Sequence, residues 1–136
     1  MAERSGVRVL VADDDADLRR LVSRELRHAG YRVIEAANVD AVIERLTPAE
    51  RVRAPIGAIV SDLRMPGLSG LDLLALLRCA QLELPVILMS SFNDAAVRDE
   101  ALSLGAAAVV DKPLEEGTLA TILANLVVSG PTLASA

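Results

Sequence analysis

The stretch Val7–Ala12, VRVLVA, is followed at once by Asp13, Asp14 and Asp15. A short run that is almost continuously apolar and β-branched predicts a strand buried on both faces of a sheet. After the acids, apolar residues recur at helical spacing as far as Gly30, a residue typical of a helix end. The opening of the chain therefore predicts a buried strand, an acidic loop and a helix.

The same alternation of strand and helix continues through the rest of the chain. Further strands are predicted at 31–36, 56–61, 85–90 and 107–110, and further helices at 38–46, 71–80, 94–104 and 114–128. The segment 47–55 holds two prolines and several charges, which predicts a loop. Five repeated β–α units predict an α/β fold, with a doubly wound parallel sheet of five strands and five helices on its two faces.

The composition limits the class of protein. A chain of 136 residues is long enough for one domain, and 52% hydrophobic residues exclude general disorder. The net charge of −5 argues against direct binding of nucleic acid by this segment. We find no secretory signal and no apolar run near the ~20 residues that span a bilayer, so no membrane insertion is expected. A single cysteine fits a reducing, cytoplasmic location.

Polar side chains collect at the ends of the predicted strands. Asp13 and Asp14 follow the first strand, Asp62 follows the third, and Ser90 and Lys112 lie at the ends of the fourth and fifth. In parallel α/β sheets these carboxyl ends meet at one edge, where ligands bind. The sequence therefore predicts that three acids, a hydroxyl and the only lysine of the chain converge at one site.

This combination of side chains favours phosphate chemistry assisted by a metal. Carboxylates placed close together repel each other unless a cation joins them, and oxygen ligands alone favour a hard cation such as Mg²⁺. A carboxylate can also act as a nucleophile and become an aspartyl phosphate. Asp15 and Asp17 are interpreted differently, as residues that stabilise the amino end of the first helix, because they open that helix.

These residues resemble the response-regulator receiver domain of bacterial two-component signalling. The resemblance runs from about residue 7 to residue 128, and it implies the flavodoxin-like strand order 2-1-3-4-5. It rests on four pieces, in order, at predicted strand ends: Asp13-Asp14, then DLRMP at 62–66 with Gly70, then Ser90, then Lys112-Pro113. Each piece alone is weak, but the ordered set is highly specific.

The resemblance implies a role for each acid of the site. Asp62 would accept a phosphoryl group from a sensor histidine kinase or, in a phosphorelay, from a histidine phosphotransfer protein. Asp14, Asp62 and the backbone carbonyl of Arg64 would bind Mg²⁺ directly, and Asp13 would bind it mainly through water. The protein would thus be a phosphoprotein that dephosphorylates itself slowly, and not a turnover enzyme.

The resemblance also implies roles for the two remaining groups and exposes one departure. Ser90 would donate a hydrogen bond to the phosphoryl group and Lys112 would pair with a phosphoryl oxygen, and the bond from Lys112 to Pro113 resembles one that is often cis. The family commonly has an aromatic residue where this chain has Val109. Phosphorylation does not need that ring, but the ring through which the family usually transmits phosphorylation is absent.

The resemblance implies an output surface as well. Phosphorylation would switch the face 94–128 for contact with a downstream protein or for a phosphorylation-dependent homodimer. We expect the receiver domain to cover residues 1–128, with 129–136 (SGPTLASA) as a flexible tail or the stump of a linker. The sequence leaves open whether the domain stands alone or belongs to a longer regulator.

Three other functions stay open at this stage. The departure at Val109 keeps alive a degenerate receiver that binds proteins independently of phosphorylation. A Mg²⁺-dependent phosphohydrolase would use Asp13 or Asp15 as its nucleophile, but this chain has no residues to spare for a substrate cap. A flavodoxin-like FMN binder is disfavoured by the acidic first loop and by the presence of only two aromatic residues, Tyr31 and Phe92.

Overall fold

The fold comes from a computed structural model that describes residues 7–91 and 95–135, with side chains as far as residue 126. Within these residues the strands are β1 Arg8–Ala12, β2 Arg32–Ala36, β3 Ala58–Asp62, β4 Val86–Ser90 and β5 Ala108–Asp111. The helices are α1 Ala16–His28, α2 Val39–Glu44, α3 Pro48–Arg53, α4 Gly70–Cys79, α5 Ala95–Ser103 and α6 Thr118–Ser135. None of the helices in the described part of the chain is long and apolar enough to cross a membrane.

The five strands form one parallel sheet in the order β2-β1-β3-β4-β5. The predicted fold class and strand order are therefore confirmed. β1, β3 and β4 are almost wholly buried, which explains why each contains a run of at least three consecutive apolar residues and does not alternate apolar with polar ones. The strands end together, so the residues that follow them lie along one edge of the sheet.

Helices cover both faces of the sheet, and successive strand residues point to opposite faces. Val9 and Val11 pack on one side with residues of α1 and α6, among them Leu26 and Leu123. Leu10 and its neighbours on the other face pack with residues of α2, α4 and α5. The two cores fix the positions of the strand ends. The loops that follow the strands are outside these cores and can hold functional residues.

The predicted loop at 47–55 is wrong, because Pro48–Arg53 forms the short helix α3 and brings the number of helices to six in the described residues. Thr47 caps this helix by accepting a hydrogen bond from the backbone N–H of Glu50. Pro48 occupies the first turn, where a missing N–H costs nothing. The helix has no buried residue, so it lacks the apolar periodicity by which the other helices were predicted.

The last helix begins and ends later than predicted. α6 starts at Thr118, four residues after the predicted start at 114, and runs to Ser135. Residues 129–135, predicted to be a flexible tail, therefore continue the helix, as extension of an existing helix costs little. Residue 136 lies outside the described part. The division of the chain at residue 128 stays a prediction.

Candidate functional site

The predicted site residues meet at the carboxyl edge of the sheet. Asp13 follows β1, Asp62 and Ser90 are the last residues of β3 and β4, and Lys112 follows β5. The ammonium Nζ of Lys112 lies 3.2 Å from Oδ1 of Asp62 and 3.8 Å from Oδ2 of Asp13. The lysine thus sits between the two buried carboxylates, where its charge offsets part of their repulsion.

Three carboxylates lie close enough together to hold one cation. Asp13, Asp14 and Asp62 each offer an oxygen within 4.8 Å of the other two. Asp13 and Asp62 are buried, whereas Asp14 is exposed at the mouth of the site. A set of oxygen ligands that is partly open to water is the kind of site in which Mg²⁺ is bound in proteins.

Asp13 carries the clearest sign that the site fits a cation. Its side chain is fully buried, and Oδ1 accepts a hydrogen bond from the backbone N–H of Asp15 at 2.9 Å. Oδ2 has no hydrogen-bond partner among the described residues. Burial, with smaller contributions from the charges of Asp62 and Asp14, raises the pKa of Asp13 from 3.8 to about 6, although the Asp15 N–H and Lys112 oppose the shift. A cation or a water would satisfy Oδ2, and a cation would also stabilise the ionised form of this buried carboxylate.

The position of Asp62 depends on a glycine at the start of α4. A β-carbon on Gly70 would lie 2.7 Å from the carbonyl oxygen of Asp62, closer than real β-carbons approach, and 3.1 Å from Cα of Leu63, which is a tight contact. The backbone N–H of Gly70 donates to the carbonyl of Leu63 at 2.8 Å. Ser69 caps the helix and shares a capping box with Asp72. Gly70 therefore lets the helix close tightly behind the end of β3.

The remaining predicted residues lie around this centre. Ser90 is buried, and its carbonyl accepts a hydrogen bond from the backbone N–H of Lys112 at 2.7 Å, which ties the ends of β4 and β5 together. The peptide bond between Lys112 and Pro113 is cis. The side chain of Arg64 is exposed two residues beyond Asp62, and metal binding by its carbonyl stays a prediction.

The two acids interpreted as residues of the helix end are confirmed in that role. Asp15 is the N-cap of α1, and its Oδ1 accepts hydrogen bonds from the backbone N–H groups of Asp17 and Leu18 at 3.0 and 3.2 Å. Asp17 lies in the first turn and forms an ion pair with Arg20. Neither residue belongs to the group of three carboxylates at the site.

Sequence reasoning missed two arginines near the site. Arg19 of α1 donates from Nη1 to the carbonyl oxygen of Asp13 at 2.7 Å and from Nε to Oε1 of Glu35 at 2.9 Å. Arg98 of α5 donates to the carbonyl oxygen of Val109 and to Oδ1 of Asp111, both at 2.9 Å. No local signal distinguishes these two from the other eleven arginines of the chain, because their partners lie far away in the sequence or on another element.

The predicted output face 94–128 is described in part. Asp94 lies outside the described residues, as do the side chains of residues 127 and 128. The described portion consists of α5, β5 and the first half of α6. β5 lies at the edge of the sheet, and Leu102 of α5 is exposed. The ion pair between Arg98 and Asp111 lies on this portion and joins α5 to the residue that precedes Lys112.

Comparison with known proteins finds similarity over most of the chain. The family model described as the response regulator receiver domain matches residues 9–124. The transcriptional regulatory protein FixJ of Bradyrhizobium diazoefficiens is 31% identical over 119 residues, which cover 88% of this chain and 56% of that protein. The transcriptional regulatory protein AruR of Pseudomonas aeruginosa is 35% identical over 120 residues, covering 88% of this chain and 49% of that protein. The chain thus spans about half the length of these curated relatives.

Solved structures show the same similarity in three dimensions. The response regulator receiver protein from Pseudomonas putida superimposes with a TM-score of 0.79 at 28% identity, covering 88% of this chain and 96% of that one. Nearly the whole of that structure is therefore matched by this chain.

Proposed function

Because the chain belongs to the response regulator receiver domain family, we propose that it takes a phosphoryl group onto Asp62 in two-component signalling. The donor would be a phosphohistidine of a sensor kinase or of a phosphotransfer protein, and Mg²⁺ would bind at Asp13, Asp14 and Asp62. The observation that carries this proposal is the surroundings of Asp62. Its carboxylate is buried, and Oδ1 lies 3.2 Å from Nζ of Lys112. One carboxylate oxygen of Asp62 also lies within 4.8 Å of an oxygen of Asp13 and of an oxygen of Asp14.

The residues of the site would divide the reaction among them. An oxygen of Asp62 forms a bond to phosphorus as the bond from phosphorus to the donor nitrogen breaks, and the nitrogen keeps the electron pair of that bond. Mg²⁺, when bound, supplies positive charge that offsets the charge on the transferring phosphoryl oxygens. Lys112 would hold a phosphoryl oxygen through its ammonium group, and the hydroxyl of Ser90 would donate to another.

The same residues explain why we propose an acceptor and not a turnover enzyme. Hydrolysis needs a water placed opposite the aspartyl oxygen and a group that removes its proton. Asp13 and Asp62, the buried acids, are committed to the cation and to the phosphoryl group in this proposal. We therefore expect slow self-dephosphorylation, with the message carried by the phosphorylated protein itself.

The output would be read by protein contact on the face 94–128. The net charge of −5 supports a protein partner, a second copy of the domain included, over direct contact with nucleic acid. FixJ and AruR carry the names of transcriptional regulators, and the match covers only about half of each. We propose that this chain is a signal-receiving domain.

Intact-mass analysis after incubation with acetyl phosphate and Mg²⁺ tests the proposal. We expect a gain of one phosphoryl group that is lost with EDTA and in the variant Asp62→Asn. Asp40→Asn, an exposed acid on α2, is the matched control and should be phosphorylated like the wild type. No gain in the wild type would favour a receiver that binds proteins without phosphorylation. A gain that persists in Asp62→Asn would show that another residue is the acceptor.

A further inference from the structure

We propose that Arg19 is a positioning residue that sets the acidic loop after β1 for cation binding. The inference rests on the function proposed above, since it assigns a role toward the same cation. Arg19 itself does not belong to the group of carboxylates, and its contact is with backbone. It would act through the orientation of the peptide that joins Asp13 to Asp14.

The backbone of Asp13 is held on both sides by the end of β2. Its N–H donates to the carbonyl of Ala36 at 3.1 Å. Its carbonyl accepts from Nη1 of Arg19 at 2.7 Å, and Nε of the same guanidinium donates to Glu35 at 2.9 Å. Glu35 and Ala36 are neighbours at the end of β2. One strand end thus fixes the amide of Asp13 directly and its carbonyl through the arginine.

The geometry uses what is particular to a guanidinium group. Its donors are fixed in a planar fork, so Glu35 can hold the group in place while a second donor points at the Asp13 carbonyl. The side chains of Arg19 and Glu35 are only 18% and 26% exposed, so water screens this pair less than a surface pair. Rotation of the carbonyl of Asp13 would turn the following residue, Asp14, away from the other two carboxylates.

Arg19 could influence the site through its charge or by positioning the ligands, and the two roles predict opposite changes in Mg²⁺ affinity when Arg19 is removed. A cation site with three carboxylates should gain affinity for Mg²⁺ when a nearby positive charge is deleted, because the local potential becomes more negative. Loss of a group that orients the ligands should lower the affinity, as loss of supporting partners does at other metal sites. The direction of the change in affinity therefore separates the two roles.

Calorimetric titration of the metal-free protein with MgCl₂ is the experiment. We expect Arg19→Gln to raise the dissociation constant for Mg²⁺ by about tenfold. Arg20→Gln is the matched control, since it deletes the same charge from the next residue, which contacts exposed Asp17. Its dissociation constant should stay equal to that of the wild type or fall slightly. Arg19→Lys keeps the charge without the fork, so it should also bind Mg²⁺ more weakly than the wild type.

A double variant tests whether Glu35 acts through Arg19. Glu35→Gln alone should weaken Mg²⁺ binding, but it should add little to the loss in Arg19→Gln, because the two residues form one support. Thermal melting in EDTA shows which variants are folded. Affinity for Mg²⁺ is compared only among those variants.

The inference is overturned if folded Arg19→Gln binds Mg²⁺ as tightly as the wild type or more tightly, or if Arg19→Lys matches the wild type. Failure of the proposed function has a different signature. In that case the wild type itself would bind no Mg²⁺ or would not be phosphorylated at Asp62.

Discussion

In the metal-free protein, ionisation of Asp13 makes the stability of the fold depend on pH. Its pKa is raised from 3.8 to about 6, first by burial and then by the charges of Asp62 and Asp14. The folded protein therefore binds more protons than the unfolded chain between these two values, and stability falls as pH rises through them. Above about pH 6, folding must bury an ionised Asp13, and this cost stays constant.

Removal of that charge should stabilise the metal-free protein. We expect Asp13→Asn in EDTA at pH 7.5 to raise the free energy of unfolding by roughly 1–3 kcal/mol, the scale set by a pKa shift of about two units. Near pH 4 the gain should largely vanish, because Asp13 is then protonated in the native state. Urea denaturation at the two pH values measures the difference.

Asp99→Asn, an exposed acid on α5, is the control and should change stability little at either pH. A variant Asp13→Asn that is less stable than the wild type at pH 7.5 would contradict the argument. That result would mean that the carboxylate forms favourable contacts that outweigh its burial.

At the scale of elements, α4 begins at Gly70, which packs against the end of β3 in a contact that leaves no room for a side chain. Gly70 approaches the backbone of Asp62 and Leu63 so closely that a methyl group would have to displace the strand end or the helix. The start of α4 therefore limits where the proposed phosphoacceptor can lie. Packing of the helix and geometry of the site are joined at one residue.

Gly70→Ala should destabilise the domain by about 1–3 kcal/mol through overpacking and should slow phosphorylation of Asp62. Gly67→Ala is the comparison, since a β-carbon there meets nothing within 4 Å and only the positive φ of 83° opposes it. We expect the second variant to lose about 1 kcal/mol and to keep its phosphorylation rate. Equal rates for both variants and the wild type would show that the end of β3 tolerates the displacement.

The sequence predicts those elements whose pattern of apolar and polar residues is contained in a few consecutive positions. Apolar runs predicted the five strands, and the acids at their ends predicted the site, because parallel strands place their ends at one edge. α3 was missed because its residues are exposed and its sequence contains Pro48 at a position that helices accept. Arg19 and Arg98 were missed because their contacts with β2 and β5 exist only once the helices are packed on the sheet.

Arg98 shows what connects α5 to β5 in this chain. Val109 of β5 is half-buried against the core of that face. The guanidinium of Arg98 binds the carbonyl of Val109 and the carboxylate of Asp111, the residue before Lys112. A polar bridge thus joins the helix to the strand end that carries the lysine of the site.

At the scale of the whole molecule, two apolar cores support an edge that gathers like charges. Buried side chains on both faces of the sheet fix the strand ends, and the carboxylates there lie closer together than they would in an unfolded chain. Folding therefore assembles a cation site at a cost in stability, and binding of a cation to the native state returns part of that cost. Stability of the domain and occupancy of the site are linked quantities.

This linkage predicts that Mg²⁺ changes the pH dependence of stability. Mg²⁺ competes with protons for the carboxylates, so its affinity should increase as pH rises through about 6, the raised pKa of Asp13. The free energy of unfolding should gain little from Mg²⁺ near pH 4. At pH 7.5 the gain should be largest, about 2.7 kcal/mol when the ion is present at one hundred times its dissociation constant. Urea denaturation with Mg²⁺ or with EDTA at matched ionic strength measures this gain at each pH.

Two variants assign the gain to the site. Asp14→Asn and Asp62→Asn should each remove most of it, because each deletes an oxygen anion from the group of three. Asp40→Asn, an exposed acid on another helix, should keep it. A gain that is equal at pH 4 and pH 7.5, or that survives in both site variants, would mean that Mg²⁺ stabilises the protein elsewhere. The three carboxylates at the edge of the sheet would then lower the stability of the fold without any compensation from a bound cation.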